Sequence, residues 1–247
     1  YAYFDKYMIT VASFLYAAYQ ICDDTIAAEE PNDDTTYICQ TSPHFHKLIL
    51  KSGAYFAQWD LDADPHYDSS GLGRIHRKDA PSAICMSCPC PAEPGFRLDI
   101  PPMALSLCAA TKEKDAWKLG AAEGKYELVS TSQDASSAKA TLLCRFAETA
   151  VEESYTVSHK GVSVTLTGEG ELGFALPALV FDGETTPEIA CTDKALTITY
   201  EGWVCRYTTN GTITDLNQTA ANRNGHYRAF LAHGQDSLQV DIRIVPV

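Results

Sequence analysis

Alternation of apolar and polar residues along most of the chain is the feature that most constrains its fold. Residues 162–167 read Val-Ser-Val-Thr-Leu-Thr, and residues 238–244 read Leu-Gln-Val-Asp-Ile-Arg-Ile. In a β-strand, successive side chains point to opposite faces, so this pattern places every apolar residue on one face. We therefore predict β-strands with one buried face and one face toward solvent.

Similar stretches recur at short intervals and are separated by turn signals rather than by helices. The turn signals are dipeptides that end in glycine, at residues 160–161, 182–183, 210–211 and 224–225. The glycine-rich stretch 168–173 lies within β structure, where a bulge is a better interpretation than a phosphate-binding loop. The predicted strands are 47–50, 54–60, 83–87, 104–109, 125–130, 139–146, 151–158, 161–168, 178–181, 195–200, 202–208, 227–232 and 238–244. Many short strands without intervening helices predict a mainly β fold, a large antiparallel β-sandwich.

The N-terminal stretch 3–26 is the exception, because its apolar residues recur at helical spacing. One face carries Tyr7, Val11, Phe14, Leu15, Ala18 and Cys22, and the opposite face carries Met8, Ala12, Tyr16 and Tyr19. A helix that is apolar nearly all round is normally buried between partners. We expect either the last helix of a larger helical domain or a single helix packed on the sheet. An exposed helix of this kind would favour dimerisation or aggregation.

An acidic linker with Pro31 and Asn32 follows the helix and marks a domain boundary. The predicted domains are residues 1–40, a terminal helix with its linker, and residues 41–247, the β-sandwich. At 247 residues the chain can bury a sizeable core. It has no apolar run of about 18 residues, so no membrane span is predicted. A net charge of −13 argues against a nucleic-acid partner.

The nine cysteines are scattered, and several lie within predicted strands. An odd number in strand interiors is typical of reduced core thiols, which indicates the cytoplasm. The chain begins at Tyr1 rather than Met, so we expect a piece of a longer protein, and the periplasm remains an alternative. Cys85, Cys88 and Cys90 lack the second pair of ligands that a structural zinc site needs. No cofactor is predicted, and a divalent metal such as zinc or calcium remains open.

Residues 60–78 hold the densest group of reactive side chains, which we place on short connections between strands. An acidic run, 60–64, precedes His66 and Tyr67, and a basic cluster of Arg74, His76, Arg77 and Lys78 follows. Imidazoles and phenols are the usual proton-transfer groups, so the candidate catalytic residues are His66, Tyr67 and His76. Arg74, Arg77 and Lys78 are candidates for binding a carboxylate. The alternative is that these cations pair with the neighbouring aspartates and only order the loop.

Two further polar clusters are candidates for substrate binding. His44 and His46 are two residues apart, a spacing that places both rings on one face of a strand. Residues 222–228 contain Arg223 and Tyr227 and lie at a turn into a predicted strand. This second cluster either closes the same cleft from another loop or forms a hairpin turn with an exposed rim.

The arrangement of one apolar helix, an acidic linker and a many-stranded sandwich resembles the C-terminal part of heparinase II/III-like polysaccharide lyases. Residues 3–26 would match the closing helix of their (α/α) toroid, and residues 44–247 their β-supersandwich. Residues 64–74, Asp-Pro-His-Tyr-Asp-Ser-Ser-Gly-Leu-Gly-Arg, stand at the place of the family's His-x-Asp-x-Gly-Ser-Phe-type strand and differ from it. The resemblance implies a helical domain of the same parent chain as a partner.

The resemblance also implies a substrate and a mechanism. The ligand would be an acidic oligosaccharide or polysaccharide, cleaved by β-elimination at a uronic acid. Arg74 or Arg77 would neutralise the uronate carboxylate, His66 or His76 would remove the proton at C5, and Tyr67 would protonate the leaving oxygen. Two alternatives stay open: a non-catalytic sugar-binding or structural sandwich, and a sandwich of the aldose-epimerase type. A fold by itself does not decide among them.

Overall fold

The computed structural model describes residues 2–23, 25, 34–41 and 44–247, with side chains from residue 7 onward. The chain divides into two compact units, Tyr1–Asn32 and Asp33–Val247. The sequence-based boundary between residues 40 and 41 falls at the end of the first β-strand.

The first unit contains helix α1, which spans Ala2–Ile21. Every described side chain from Tyr7 to Cys22 is exposed, including Phe14 at 70% and Ile21 at 84%. The helix ends five residues before the predicted end, where the Asp23 carboxylate accepts a hydrogen bond from the Thr25 backbone N–H at 2.9 Å. Such aspartate turns compete with helical backbone bonding. No helix in the described part of the chain is long and apolar enough to cross a membrane.

The second unit contains a small antiparallel sheet of four strands among its described residues. These strands are β1 (Thr36–Gln40), β2 (Lys47–Ser52), β3 (Tyr55–Asp60) and β4 (Gly71–Arg77), and they pair in the order β1-β2-β3-β4. Burial alternates strictly along β2, where Leu48 and Leu50 point inward with no exposed surface. This is the period of two that the sequence pattern predicts for a sheet with one buried face.

The larger antiparallel sheet contains the remaining described strands. Its long path runs in the order β11-β12-β13-β15-β10-β9-β8-β7, with β14 paired to β15, β5 paired to β10, and β6 paired to β5. A short helix, α2 (Gly120–Glu123), follows β6. The strands are β5 (Ala109–Glu113), β6 (Ala116–Leu119), β7 (Lys125–Gln133), β8 (Ser137–Arg145), β9 (Ala150–Ser158), β10 (Gly161–Phe181), β11 (Glu188–Cys191), β12 (Ala195–Tyr200), β13 (Trp203–Thr209), β14 (Thr212–Asn222) and β15 (Gly225–Pro246).

One hydrophobic core joins the inner faces of the two sheets. Trp59 of β3 is fully buried and contacts Tyr155 of β9 edge-on, with ring centroids 4.8 Å apart. Tyr155 in turn lies 6.4 Å from the ring of Phe174 on β10. Aromatic pairs in this geometry stabilise a core beyond their buried area. The predicted mainly β, antiparallel sandwich fold is confirmed.

Strands β10 and β15 are much longer than predicted and pair along most of their length. The sequence pattern divides each into two strands, but each is continuous, and the pairing shifts register between Thr167 and Glu171. This irregularity is the bulge predicted at the glycine-rich stretch, and Gly170 there has φ +86°. A bulge bends a strand without ending it, so a local break in alternation is not a break in the element.

Some predicted strands are wrong, and several strands were missed. Residues 83–87 and 104–108 contribute only isolated bridges, such as Ile75 to Met86 and Leu72 to Leu107. Prolines in and around the segment 81–91 remove the donors that a continuous ladder needs. The missed strands are β1, β4, β6, β11, β14 and all of β5 beyond its first residue, and they are short or rich in polar residues.

A carboxylate, that of Glu153, lies inside the hydrophobic core. Glu153 on β9 has no exposed surface, and it accepts hydrogen bonds from the Ala109 backbone N–H at 2.8 Å and the Tyr155 hydroxyl at 2.5 Å. Burial raises the pKa of Glu153 to about 7, although these hydrogen bonds oppose the shift. The protonation of this residue is therefore coupled to folding near neutral pH.

Candidate functional site

A surface cavity of about 190 Å³ brings together three of the residues singled out in the sequence: Tyr67, Arg74 and Arg223. Tyr67 comes from the loop after β3, Arg74 from β4, and Arg223 from the turn between β14 and β15. The remaining lining residues are Asp68, Cys88, Pro89, Pro91, Phe96 and Asn222. Two guanidinium groups beside a phenol form a site suited to an anionic ligand with hydroxyl groups.

Arg74 reaches the cavity because it lies on the partly exposed face of β4, opposite Gln58 of β3. The adjacent Gly73 allows the cavity wall to pack closely, since a Cβ at this position would lie only 2.4 Å from Pro89 Cγ. A glycine is required wherever another chain segment approaches the backbone this closely. The β4 strand and the wall segment are thereby held against each other.

Arg223 is positioned by a hairpin turn that is fastened to the cavity wall. Asn222 pairs with Gly225 across the turn, and the Asn222 side-chain amide donates to the Cys88 carbonyl at 2.6 Å. The Asn224 amide also donates to the Ser87 hydroxyl. The Arg223 guanidinium lies 5.1 Å from the ring centroid of Phe96, a cation–π contact. The cluster at 222–228 is therefore a hairpin turn that also closes the cavity.

Tyr67 and His66 lie next to each other on an exposed loop, but only Tyr67 lines the cavity. Tyr67 is 69% exposed. His66 places Nδ1 2.9 Å from Asp64 Oδ1 and Nε2 3.8 Å from Glu93 Oε2. Hydrogen bonds from the His66 backbone and then from its side chain lower the pKa of Asp64. The Asp64 carboxylate can only accept a hydrogen bond, so its contact with Nδ1 requires the proton on that ring nitrogen.

A largely buried ion triad of Lys47, Asp60 and Asp68 reaches the cavity through Asp68. The Lys47 ammonium donates to Asp60 and, at 2.9 Å, to Asp68, which also lines the cavity. The three side chains are only 15%, 9% and 17% exposed, respectively. Burial disfavours the charged ammonium, but the two carboxylates outweigh it and raise the pKa of Lys47. Burial likewise raises the pKa of Asp68, and Lys47 opposes that rise.

The basic cluster 74–78 is not the loop that the sequence suggested, because residues 74–77 form the end of strand β4. Alternation along the strand separates its members. His76 lies on the same face as Arg74, half-buried with its ring 6.0 Å from that of Phe56. Burial and then the charge of Arg74 lower its pKa, but the ring does not line the cavity.

The other two cations of that cluster also lie outside the cavity. Arg77 points to the opposite face of β4, where its guanidinium stacks 4.9 Å from the Trp203 ring centroid. Lys78 follows the strand, and its backbone N–H donates to the Ala54 carbonyl at 2.9 Å. Only Arg74 of the predicted carboxylate-binding cations in this cluster therefore faces the candidate site.

The expectation that His44 and His46 share one face of a strand is wrong. Both precede β2 in a turn, and His46 has φ +53°, a left-handed conformation incompatible with a strand. His46 Nε2 lies 4.0 Å from Asp62 Oδ2. His46 lines a different cavity, together with Lys47 and Tyr126.

Tyr227 is a core residue and not a surface contact. Its side chain has no exposed surface, and its hydroxyl donates to the Ala83 carbonyl at 3.1 Å. Burial raises the pKa of Tyr227 above its ordinary value. The bond ties β15 to the irregular segment that leads to the cavity wall.

We expect the Tyr227→Phe substitution to lower the free energy of unfolding by about 1 kcal/mol, because the hydrogen bond from the buried Tyr227 hydroxyl to the Ala83 carbonyl is lost. Urea denaturation followed by tryptophan fluorescence measures the change. Tyr67→Phe, at an exposed hydroxyl, is the matched control and is expected to leave stability within about 0.5 kcal/mol of the parent chain. Equal effects of the two substitutions would contradict the structural role assigned to the Tyr227 hydroxyl.

The nine cysteines are free thiols, and five of them are buried. Cys85, Cys88 and Cys90 follow one another along the irregular segment, where only Cys88 lines the candidate cavity. Among the described residues, no group of three or more histidine, cysteine, aspartate or glutamate side chains is arranged to hold a metal ion.

Phe96 and Asn222 are cavity residues that sequence reasoning did not assign to the site. Phe96 lies in the stretch 92–103, which shows no periodic pattern, so its sequence carried no signal. Asn222 belonged to the second polar cluster, but its hydrogen bond to Cys88 spans 134 positions of sequence. A contact of this range follows only from the tertiary fold.

Comparison with solved structures finds likeness in fold at low sequence identity. A heparan sulfate lyase HepC mutant from Pedobacter heparinus matches with a TM-score of 0.57 at 10% identity, over 88% of this chain and 37% of that chain. A second structure of this lyase matches with a TM-score of 0.53 at 9% identity, over 82% of this chain and 36% of that chain. A 4-alpha-glucanotransferase from Thermococcus litoralis matches with a TM-score of 0.51 at 11% identity, over 87% of this chain and 40% of that chain.

No protein-family model and no curated protein sequence matches the chain. The chain spans less than half the length of each of these three solved structures. At such low identity, likeness in structure carries information about the fold and not about the chemistry. The chain therefore has a heparinase-like fold, similar to part of a heparan sulfate lyase.

Proposed function

We propose that this chain is part of a carbohydrate-active protein that binds an acidic oligosaccharide or polysaccharide in the cavity of Tyr67, Arg74 and Arg223. The observation that carries the proposal is the convergence of two guanidinium groups on one open cavity. Planar guanidinium donors match a carboxylate in a bidentate geometry. The ring of Phe96, over which the Arg223 guanidinium lies, holds that cation at the cavity.

We further propose polysaccharide lyase activity, by β-elimination at a uronic acid. Arg74 and Arg223 would neutralise the uronate carboxylate, which makes the adjacent C5 proton more acidic. His66, oriented by Asp64, is the candidate base, and Tyr67 is the candidate acid for the leaving oxygen.

A non-catalytic sugar-binding domain is the second candidate function. The observation in its favour is that none of the described histidines lines the cavity, so the proton acceptor would have to come from its edge. The low exposure and Lys47 partner of Asp68 make that carboxylate a poor base. A binding site for an anionic sugar needs only the two arginines.

Calorimetric titration of the 247-residue chain with uronate-containing tetrasaccharides tests the binding proposal. We expect saturable binding, and Arg74→Ala or Arg223→Ala is expected to weaken it by roughly 10- to 100-fold, because each removes a charge-assisted hydrogen bond. Arg206→Ala, at an exposed arginine on β13, is the matched control and should leave affinity unchanged. Absence of binding, or equal losses in all three variants, would contradict the proposed site.

Ultraviolet absorbance of the unsaturated uronate product, measured with the same tetrasaccharides, separates the two candidate functions. A lyase is expected to give a rise in absorbance that Tyr67→Phe and His66→Ala each reduce by about 100-fold or more. Binding that depends on Arg74 without any rise would establish the sugar-binding alternative. A rise that both substitutions leave intact would remove Tyr67 and His66 from the mechanism.

A further inference from the structure

One wall of the candidate cavity comes from a surface loop, residues 91–104, that is closed at its base. The Cys90 N–H donates to the Leu105 carbonyl at 2.8 Å, and the Leu105 N–H donates to the Cys90 carbonyl at 3.0 Å. Surface loops of roughly 6–16 residues whose ends lie this close are Ω-loops, which frequently carry function. Pro91 and Phe96 of this Ω-loop line the cavity.

The Ω-loop is attached to the hydrophobic core only near its two ends. Ala92 and Met103 pack against the core, whereas residues 93–102, all of which the structure describes, do not belong to it. A segment with few buried apolar contacts opens locally without unfolding of the whole domain. Prolines at positions 91, 94, 101 and 102 fix φ, so the loop keeps much of its shape when its contacts break. The Ω-loop can therefore move while both sheets stay folded.

The middle of the Ω-loop is held by two other elements, one on each side of the cavity. On one side, the backbone N–H groups of Glu93 and Gly95 donate to the carbonyls of residues 65–66 at 2.9 Å and 3.0 Å. On the other side, Phe96 packs against Arg223 of the β14–β15 turn. The Ω-loop thus spans the distance between the loop after β3 and the hairpin turn.

Each of these two elements presents a histidine to a carboxylate of the Ω-loop. His66 Nε2 lies 3.8 Å from Glu93 Oε2, and His226 Nε2, at the start of β15, lies 2.8 Å from Asp99 Oδ1. The hydrogen bond from His226 lowers the pKa of Asp99. Imidazoles change charge near neutral pH, and only the imidazolium form makes an ion pair with a carboxylate. Both contacts are therefore stronger at acidic pH.

The other groups around the two histidines stay in place when the Ω-loop moves. His66 Nδ1 faces Asp64 of its own loop, so a neutral His66 carries its proton on Nδ1 and its Nε2 offers Glu93 no donor. His226 packs against the uncharged ring of Phe181 on β10, with ring centroids 5.9 Å apart. The carboxylate after Phe181 is hydrogen-bonded within its own turn.

We infer that the Ω-loop is a pH-dependent lid on the candidate cavity, held closed by Glu93 on His66 and by Asp99 on His226 when both histidines are protonated. Deprotonation removes one charge from each contact, so the open form becomes more populated above about pH 7. Its role as a lid rests on the proposed binding of a ligand in the cavity, whereas its movement requires no ligand.

Backbone hydrogen exchange, measured by mass spectrometry on the chain without ligand at about pH 5.5 and pH 8, tests the lid. Dividing each rate by that of an unstructured peptide at the same pH removes the chemical effect of pH on exchange. We expect the protection of residues 92–103 to fall about three- to tenfold between the two values, because exposed ion pairs are individually weak. Peptides from β10 report global unfolding, which depends on pH through Glu153.

A double variant, Glu93→Gln with Asp99→Asn, keeps the size of both side chains and removes their charges. At pH 5.5 its loop protection, relative to β10, is expected to fall to the level of the parent chain at pH 8 and to stop changing with pH. Glu148→Gln makes the same kind of change at an exposed position outside the Ω-loop and should follow the parent chain.

Equal loop protection at both pH values in the parent chain, or an undiminished pH dependence in the double variant, would overturn the lid. Binding of the uronate-containing tetrasaccharides would then still leave the proposed function standing. A loop that opens with pH as expected, in a chain that binds none of these tetrasaccharides at either pH, would establish the movement and overturn the proposed function.

Discussion

Replacing Lys47 with Met is expected to lower the free energy of unfolding by roughly 3–5 kcal/mol, the range observed when one partner of a buried ion pair is removed. Lys47 neutralises Asp60 and Asp68, which are 9% and 17% exposed, respectively. Without the Lys47 ammonium, the carboxylates of Asp60 and Asp68 would lie close together in a poorly solvated region of the protein. Methionine preserves the unbranched stem and isolates the effect of the charge.

The stability lost in the Lys47→Met variant should depend on pH. Burial already raises the pKa of Asp68, and removal of Lys47 would raise it further, so the folded variant would bind protons that the unfolded chain releases. A group whose pKa is raised in the folded state destabilises the fold as pH rises. The difference in free energy of unfolding between the parent chain and the Lys47→Met variant is therefore expected to be larger at pH 8 than at pH 5.

Urea denaturation at both pH values measures this effect, with Lys139→Met as the matched control. Lys139 is exposed on β8 and its replacement should change stability by less than about 0.5 kcal/mol. Adding Asp60→Asn and Asp68→Asn to the Lys47→Met variant should restore part of the lost stability, because no charge is then left uncompensated. A Lys47→Met loss below about 1 kcal/mol, or one independent of pH, would contradict the account.

The second large effect is expected at Glu153, whose burial makes the stability of the whole fold depend on pH. The pKa of this carboxyl rises from an ordinary 4.5 to about 7 in the folded chain. The folded state therefore binds more protons than the unfolded state between these values, and stability falls as pH rises through that window. A pKa shift of this size corresponds to a contribution of roughly 3 kcal/mol to the free energy of unfolding. This contribution is present below pH 4.5 and is lost above the pKa of the folded state.

Glu153→Gln should remove that part of the pH dependence. An amide oxygen still accepts the Ala109 N–H, the amide nitrogen can donate to the Tyr155 hydroxyl, and no buried charge forms. The variant is expected to resemble the parent chain near pH 4.5 and to exceed its stability by up to about 3 kcal/mol at pH 8. Denaturant midpoints measured across this pH range give the comparison.

Glu152→Gln is the control, because Glu152 is the exposed neighbour on the same strand. Its pH profile of stability should follow that of the parent chain. A Glu153→Gln variant that remains less stable than the parent chain at pH 8 would show that the ionised carboxylate is tolerated in the core, and would contradict its coupling to folding.

Much of the fold could be predicted from sequence because β-strand alternation is a local property. The pattern at 162–167 and 238–244 predicted which side chains point inward, and Val162, Val164 and Leu238 are buried as expected. Hairpin turns were found at glycine dipeptides, as at Asn224 and Gly225. The polar residues of β4 concealed a strand, because its pairing with β3 outweighs weak strand propensity.

The candidate site was predicted only in part. The sequence pattern singled out Tyr67, Arg74 and Arg223 by their chemistry, but it also grouped Arg77 and Tyr227 with them. Strand alternation turns Arg77 to the other face, and the core encloses Tyr227. Residue type indicates what a side chain can do, whereas its direction depends on the pairing of the strand that carries it.

The chemical types of the side chains and the periodicity of the strands can be read from the order of the amino acids, because both are local properties. Which side chains meet depends on how the strands pair and pack. Arg74 and Arg223 share a cavity because β4 and the β14–β15 turn both pack against the segment that contains Cys88. Contacts between positions so far apart in the chain are stabilised by the packing of the whole sandwich. The same packing excludes water from Glu153 and so determines its pKa.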